Sequence, residues 1–206
     1  MDHHSASPGP SGLVAFAVAC YTFFGVFSGI VGPEGLVLLG AWLIGGFVIQ
    51  IVVACKELEH GELLGGNVFN FFQGFFMLAG GISSIAKWLC LFVLMVPYST
   101  VVEGLGWGAC TIALILWSPA YLLTANGTFG MMIIITDIAL IGVTLNDLCI
   151  LGAAAPVVKM IVAILLFISG SLGLYCASAV QLNTAFGRTV LPLMKPLLKA
   201  KSVSTE

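Results

Sequence analysis

Long apolar runs separated by short polar punctuation dominate the chain. Six runs reach the roughly 20 predominantly apolar residues that a bilayer-crossing helix needs: about 13–31, 35–55, 64–85, 105–123, 129–150 and 157–180. The breaks between them carry turn chemistry. Gly32-Pro33-Glu34 follows the first run, Ala125-Asn126-Gly127 follows the fourth, and Ala155-Pro156 precedes the sixth. The second run ends in a charged stretch, Cys55 to Glu62. Trp88 to Pro97 is apolar but too short to span, so it is expected to lie at the interface or insert partway, with Trp88 and Tyr98 at headgroup depth. The chain turns polar after Leu193, and its end is expected to be disordered. The pattern predicts an all-α integral membrane protein: a tail over 1–12, a bundle of six transmembrane helices over 13–192, and a second tail over 193–206.

Composition supports the bilayer as solvent. Of 206 residues, 60% are hydrophobic and only 8% charged, with a mean hydropathy of +1.13. A soluble domain carries about 25% charged residues, and no single water-soluble core of this size could hide so much apolar surface. The formal net charge is −2; no basic patch suggests a nucleic-acid partner. The six cysteines are scattered, and two of the three histidines (His3, His4, His60) lie in the N-terminal tail. No disulfide framework, metal set or nucleophile–base pair follows from them, so neither an enzyme nor a cofactor or metal site is expected.

The N-terminus lacks a basic n-region and contains two prolines, so it does not read as a signal peptide. With six spans both termini share a side. That side holds Lys56, Arg188, Lys195, Lys199 and Lys201, against Lys87 and Lys159 on the other. The positive-inside rule then puts both termini in the cytoplasm of a cell's inner or plasma membrane. The sequon Asn126-Gly127-Thr128 would lie in a cytoplasmic turn and stay unmodified.

Small residues pair at four-residue spacing at Gly25/Gly29, Ala41/Gly45, Gly104/Gly108 and Gly173/Ala177. Such pairs let helices approach closely in lipid, within one protomer or between subunits. Polar residues at membrane depth are more informative. In the greasy stretch Gly66 to Phe76, Asn67, Asn70 and Gln73 recur every three residues, within an arc of about 120° on a helix. Lipid cannot hydrogen-bond an amide, so this arc should face inward. Interhelical hydrogen bonding and the polar lining of a solute path are both compatible with it. With Thr136 on the fifth span, these amides would offer donors to a small anion without a fixed charge to trap it. Asp137 sits mid-span, where a carboxyl must face a cavity, find a partner or hold a proton; it is the candidate proton carrier. Asp147 is expected near the far interface, and Gln50 and Glu57 are read as ties at the end of the second span.

Two stretches point to a family: "SPGPSGLVAF", Ser7 to Phe16, and "NTAFGRTVLP", Asn183 to Pro192. Together they resemble the acetate uptake transporter family, the succinate–acetate permeases. The N-terminal motif maps onto Ser7, Pro8, Pro10, Gly12 and Leu13, and the likeness runs over about residues 7–192. It implies a six-helix protomer with its own solute path, assembled as a homohexamer. It also implies passage of acetate and related short carboxylates, proton-linked or channel-like. The family's path narrows at three residues that map to Phe16, Phe72 and Ile138. Phe72 stands where the family has a Tyr, and Asp137 where it usually has a neutral residue. The function expected is therefore a transporter or channel for short carboxylates, with protons as candidate co-substrate. The alternative is a channel for a small neutral solute such as urea, a short amide or ammonia.

Overall fold

The structure, a computed structural model, describes residues 6–199. Among these residues it has no strand and six helices long and apolar enough to cross a membrane. They are α1 Gly9–Phe27, α2 Leu36–Glu59, α3 Leu63–Leu94, α4 Val101–Thr124, α5 Gly127–Asp147 and α6 Ala155–Phe186. Short 3-10 turns at Pro33–Gly35 and Gly152–Ala154 lead into α2 and α6. The protein is a multi-pass membrane protein by this architecture: large apolar side chains such as Leu38, Trp42, Ile112, Leu116 and Val157 face outward, where only lipid or another apolar surface would suit them.

Local chemistry sets the helix ends. Prolines 8 and 10 start α1 at Gly9 rather than at 13, because proline's fixed φ suits a first helical turn. The Asn126 side chain accepts from Phe129 N at 3.0 Å and caps α5. Gly187, at φ 60, ends α6 in the left-handed conformation. The tail motif then folds back. Asn183 Oδ1 accepts from Val190 N and Leu191 N, and its Nδ2 donates to Leu191 O. Beyond it, Gly127 N donates to Met194 O at 2.8 Å and Leu198 N to Leu122 O at 2.9 Å. Residues 193–199 thus pack onto the bundle; the expected disorder at the very end concerns residues outside those described.

The third span departs most from expectation. α3 continues unbroken through Trp88 to Leu94, so no separate interfacial segment exists there. Ser83, Ser84 and Lys87 dilute its hydrophobicity, but two of them have partners inside the protein. Ser84 Oγ donates to Gly80 O at 2.8 Å, and Lys87 pairs with Glu103 of α4. Once satisfied, such groups no longer exclude a segment from membrane depth. Two stretches of α3, Phe72–Ala79 and Cys90–Leu94, are π-helical.

The helices close a ring in chain order. α1 packs on α2, α2 on α3, α4 on α5, α5 on α6, and α6 back on α1. The thinnest seam is between α3 and α4. It is held by the Lys87–Glu103 pair, by Tyr121 Oη donating to Leu64 O at 2.9 Å, and by Phe71 edge-on to Trp117. The small-residue pairs divide by role. Gly173 and Ala177 let α6 close on α1, with Gly173 against the Phe16 ring, and Gly104 and Gly108 admit Leu148 and Thr144. Ala41 and Gly45 face outward.

Candidate functional site

Inside the ring lie two compartments separated by aromatic side chains. The wider, about 620 Å³, opens toward the end of the bundle that carries Lys87 and Lys159. Its charged lining also includes Glu103 and Asp147, with Asn146 Nδ2 donating to Asp147 Oδ1 at 2.9 Å. The narrower, about 20 Å³, lies between α1, α2, α3 and α5 and has no charged residue in its lining. Phe76 lines the wide cavity, while Phe16 and Phe72 line the narrow pocket. These three rings pack on one another. Phe16 meets Phe72 edge-on at 5.7 Å, Phe72 meets Phe76 edge-on at 5.5 Å, and Phe16 lies 6.5 Å from Phe76. Trp107 and Phe23 extend the cluster on the wide side.

The π-helical start at Phe72 builds this wall. A π turn spreads one helical turn over more residues than the α-helix does and re-aims the side chains that follow. Phe72, Gln73, Phe76 and Met77 are the buried residues of this stretch. Gly12 brings the wall close: its position lies against the Phe69 ring with no room for a Cβ, and its carbonyl accepts from Gln50 Nε2 at 3.1 Å. The rest of the N-terminal motif anchors the same end. Leu13 lines the narrow pocket, and Ser7 Oγ donates to Oε1 of the buried Glu57 at 3.2 Å.

Four site residues named from sequence come together here: Leu13, Phe16, Phe72 and Thr136 all line the narrow pocket. Ile138 does not. It is 50% exposed on the outer face, and Ile133 and Met132 line the pocket instead. Helical geometry gives the reason: Ile138 lies two residues beyond Thr136, about 200° around the axis, so the two cannot face the same cavity. The amide arc is corrected in the same way. Asn70 is exposed and Asn67 half-buried. Asn67 Nδ2 donates to Leu63 O at 2.8 Å, and Asn70 Oδ1 accepts from Gln73 Nε2 at 3.1 Å. The amides serve their own helix, and α3 faces the pocket with Val68, Phe69 and Phe72. Asp137 lines neither compartment; its Oδ2 accepts from Ser118 Oγ of α4 at 2.6 Å.

Sequence reading missed Gln50 and Met132 as lining residues. Gln50 is not a tie at the helix end, for α2 runs nine residues further to Glu59. The available signal was its place in a stripe, Leu43, Gly46, Gln50, Val53 and Glu57, whose three- and four-residue steps mark one buried helix face. On α5, Phe129, Met132, Ile133 and Thr136 repeat the same steps.

No protein-family model matches the chain, and neither does any curated protein sequence. Among solved structures, the chain is similar to the bacterial acetate channel SatP, with a TM-score of 0.73 at 19% sequence identity over 92% of this chain and 99% of that one. At this identity the likeness establishes the fold: the six-helix ring is the architecture of a known channel.

Proposed function

We propose that this protein is a channel or transporter for acetate and related short carboxylates, and a member of the acetate uptake transporter family. The observation that carries the proposal is the pair of compartments inside one chain, a wide charged cavity and a narrow uncharged pocket, meeting at Phe16, Phe72 and Phe76. A hydrophobic constriction of this kind gates by excluding water until a solute parts the rings. The likeness of fold to an acetate channel supports the same reading, as do the two sequence motifs.

The finer reading is a homohexamer in an inner or plasma membrane, both termini cytoplasmic, with proton-linked uptake. It is supported by the basic residues flanking the termini and by the outward Ala41/Gly45 face, which suits close helix approach by a second copy. The test is flux in proteoliposomes of labelled acetate, formate, succinate and urea, with and without an inward pH gradient. Acetate flux above protein-free vesicles, raised by the gradient, is the expected result. Urea flux that acetate does not compete with, and no acetate flux, would assign the path to a neutral solute.

A further inference from the structure

A glutamine at membrane depth must place two N–H donors and one acceptor oxygen. Gln50 is 1% exposed, and its Nε2 donates to Gly12 O. A backbone carbonyl can only accept, which fixes the amide with nitrogen toward α1 and oxygen away. That oxygen, Oε1, is buried and has no partner, on a side chain that lines the narrow pocket.

The surroundings of Gln50 narrow what could satisfy it. The pocket's other polar side chain is engaged: Thr136 Oγ1 donates to Met132 O at 2.7 Å and pairs with Ser169 Oγ at 2.6 Å. No lining residue from α1, α3 or α5 is titratable. Asp137, next to Thr136, is turned to Ser118, and Glu57, seven residues along α2, is held by Ser7. A water molecule would have its free polar partners on the Gln50 amide alone, where it normally makes two to four hydrogen bonds to groups around it. Once the rings part to widen this narrow pocket, a solute with an apolar body and one donor suits it better, its body against Leu13, Phe16, Phe72 and Met132, its donor on Oε1.

We infer that the narrow pocket reads a hydrogen-bond donor, and that Gln50 is the residue that reads it. Its ligands are small neutral solutes ending in O–H or N–H: the protonated form of a short carboxylic acid and, by the same chemistry, the corresponding primary amide. A carboxylate offers acceptors only and would bring its charge against Oε1 in a pocket with no cation. The acid carries its own proton across and releases it to water on the far side, one proton per molecule, with no protein group titrating. This inference rests on the carboxylate reading above.

The test uses the full chain in proteoliposomes clamped with potassium and valinomycin, with protein-free vesicles subtracted. Labelled acetate is measured at fixed total concentration from pH 5.5 to 7.5, with and without acetamide, and labelled acetamide is measured alone. A carboxyl of ordinary acidity titrates near 4.3, so the neutral form falls about tenfold per pH unit across this range. The protein-dependent flux is expected to fall with it, to ignore membrane potential and to be inhibited by acetamide, which itself crosses. Gln50→Leu should lose at least about tenfold of both fluxes. Flux that follows the anion and the potential, with acetamide excluded, overturns this inference alone, as does acetamide inhibition unchanged in Gln50→Leu. The absence of acetate flux at every pH overturns the carboxylate reading and this inference with it.

Discussion

Phe72→Ala tests the aromatic barrier directly. The Phe72 ring is buried at 5% exposure and packs against Phe16, Phe71 and Phe76, with centroids 5.7, 4.6 and 5.5 Å away. Each such aromatic pair is worth about 0.5–1.5 kcal/mol beyond simple burial. A small solute that slips between Phe16 and Phe72 must break one pair, so truncation should speed it roughly 2- to 13-fold. A bulkier solute must also part Phe72 from Phe76, about 1–3 kcal/mol in all, and should gain roughly 5- to 150-fold. The ratio of bulky to small flux therefore rises, by about tenfold at the upper end. Acetate and benzoate fluxes through wild-type and variant, compared at equal membrane abundance, give that ratio. Abundance must be matched because losing a buried Phe costs about 3–5 kcal/mol in a packed core. Phe72→Tyr, which adds only a hydroxyl, should keep the wild-type ratio. An unchanged ratio in Phe72→Ala would mean that the ring packs the bundle and that selection by size happens elsewhere.

Gly12→Ala puts a methyl where the Phe69 ring now lies; it should destabilise the protein by about 1–3 kcal/mol, and Phe69→Leu in the same chain should recover part of the loss in a thermal-unfolding cycle. Asp137→Asn keeps an acceptor for Ser118 and lies off both compartments, so acetate accumulation under a pH gradient should stay within twofold of wild type; its abolition would make Asp137 the proton carrier after all. Orientation can be read with an impermeant thiol reagent in a background without the exposed Cys55 and Cys149: Glu34→Cys should label from outside and Thr189→Cys should not, and the reverse pattern would invert the topology.

Much of the architecture was written in the hydrophobic runs, because a bilayer demands long apolar helices whose backbone groups are satisfied internally. The errors came where tertiary partners change what a residue costs. A hydropathy count ends the third span at 85 and makes Trp88 to Pro97 a separate segment too short to span, because it cannot see Lys87 meeting Glu103 across the thinnest seam of the ring. α1 looked as though it began at 13 because prolines 8 and 10 read as tail, yet the first turn is where a helix accepts them. Residues 193–199 read only as the start of a tail, because nothing local reveals that Asn183 bends the chain back onto α4 and α5. Phe16, Phe72 and Thr136, named from sequence, line one pocket, but Ile138 was not compatible with Thr136 on one helix face, a conflict that helical geometry alone exposes.

The stretch Gly66 to Phe76 shows why composition misleads about a lining. Its three amides seemed too polar for anything but an aqueous face. Yet Asn67 Nδ2 donates to Leu63 O and Gln73 Nε2 to Asn70 Oδ1 across one turn, which lets Asn67 and Asn70 stay off the interior, while Gln73 is buried with its Oε1 unpartnered, outside the lining of the narrow pocket. The rings have no such local remedy. Phe69, Phe72 and Phe76 can leave the lipid only by packing on other rings and on α1, and their three- and four-residue steps keep them on that side of α3 while Phe75 faces outward. The narrow pocket is therefore walled by apolar groups, and its polar character is concentrated in one unpaired oxygen supplied by the facing helix, Gln50 Oε1. A passage lined by many amides would accept donors and acceptors alike, because each amide presents both. One whose unpartnered atom is an acceptor oxygen favours a solute that brings a donor, so it should prefer an acid that carries its proton over the same acid without it.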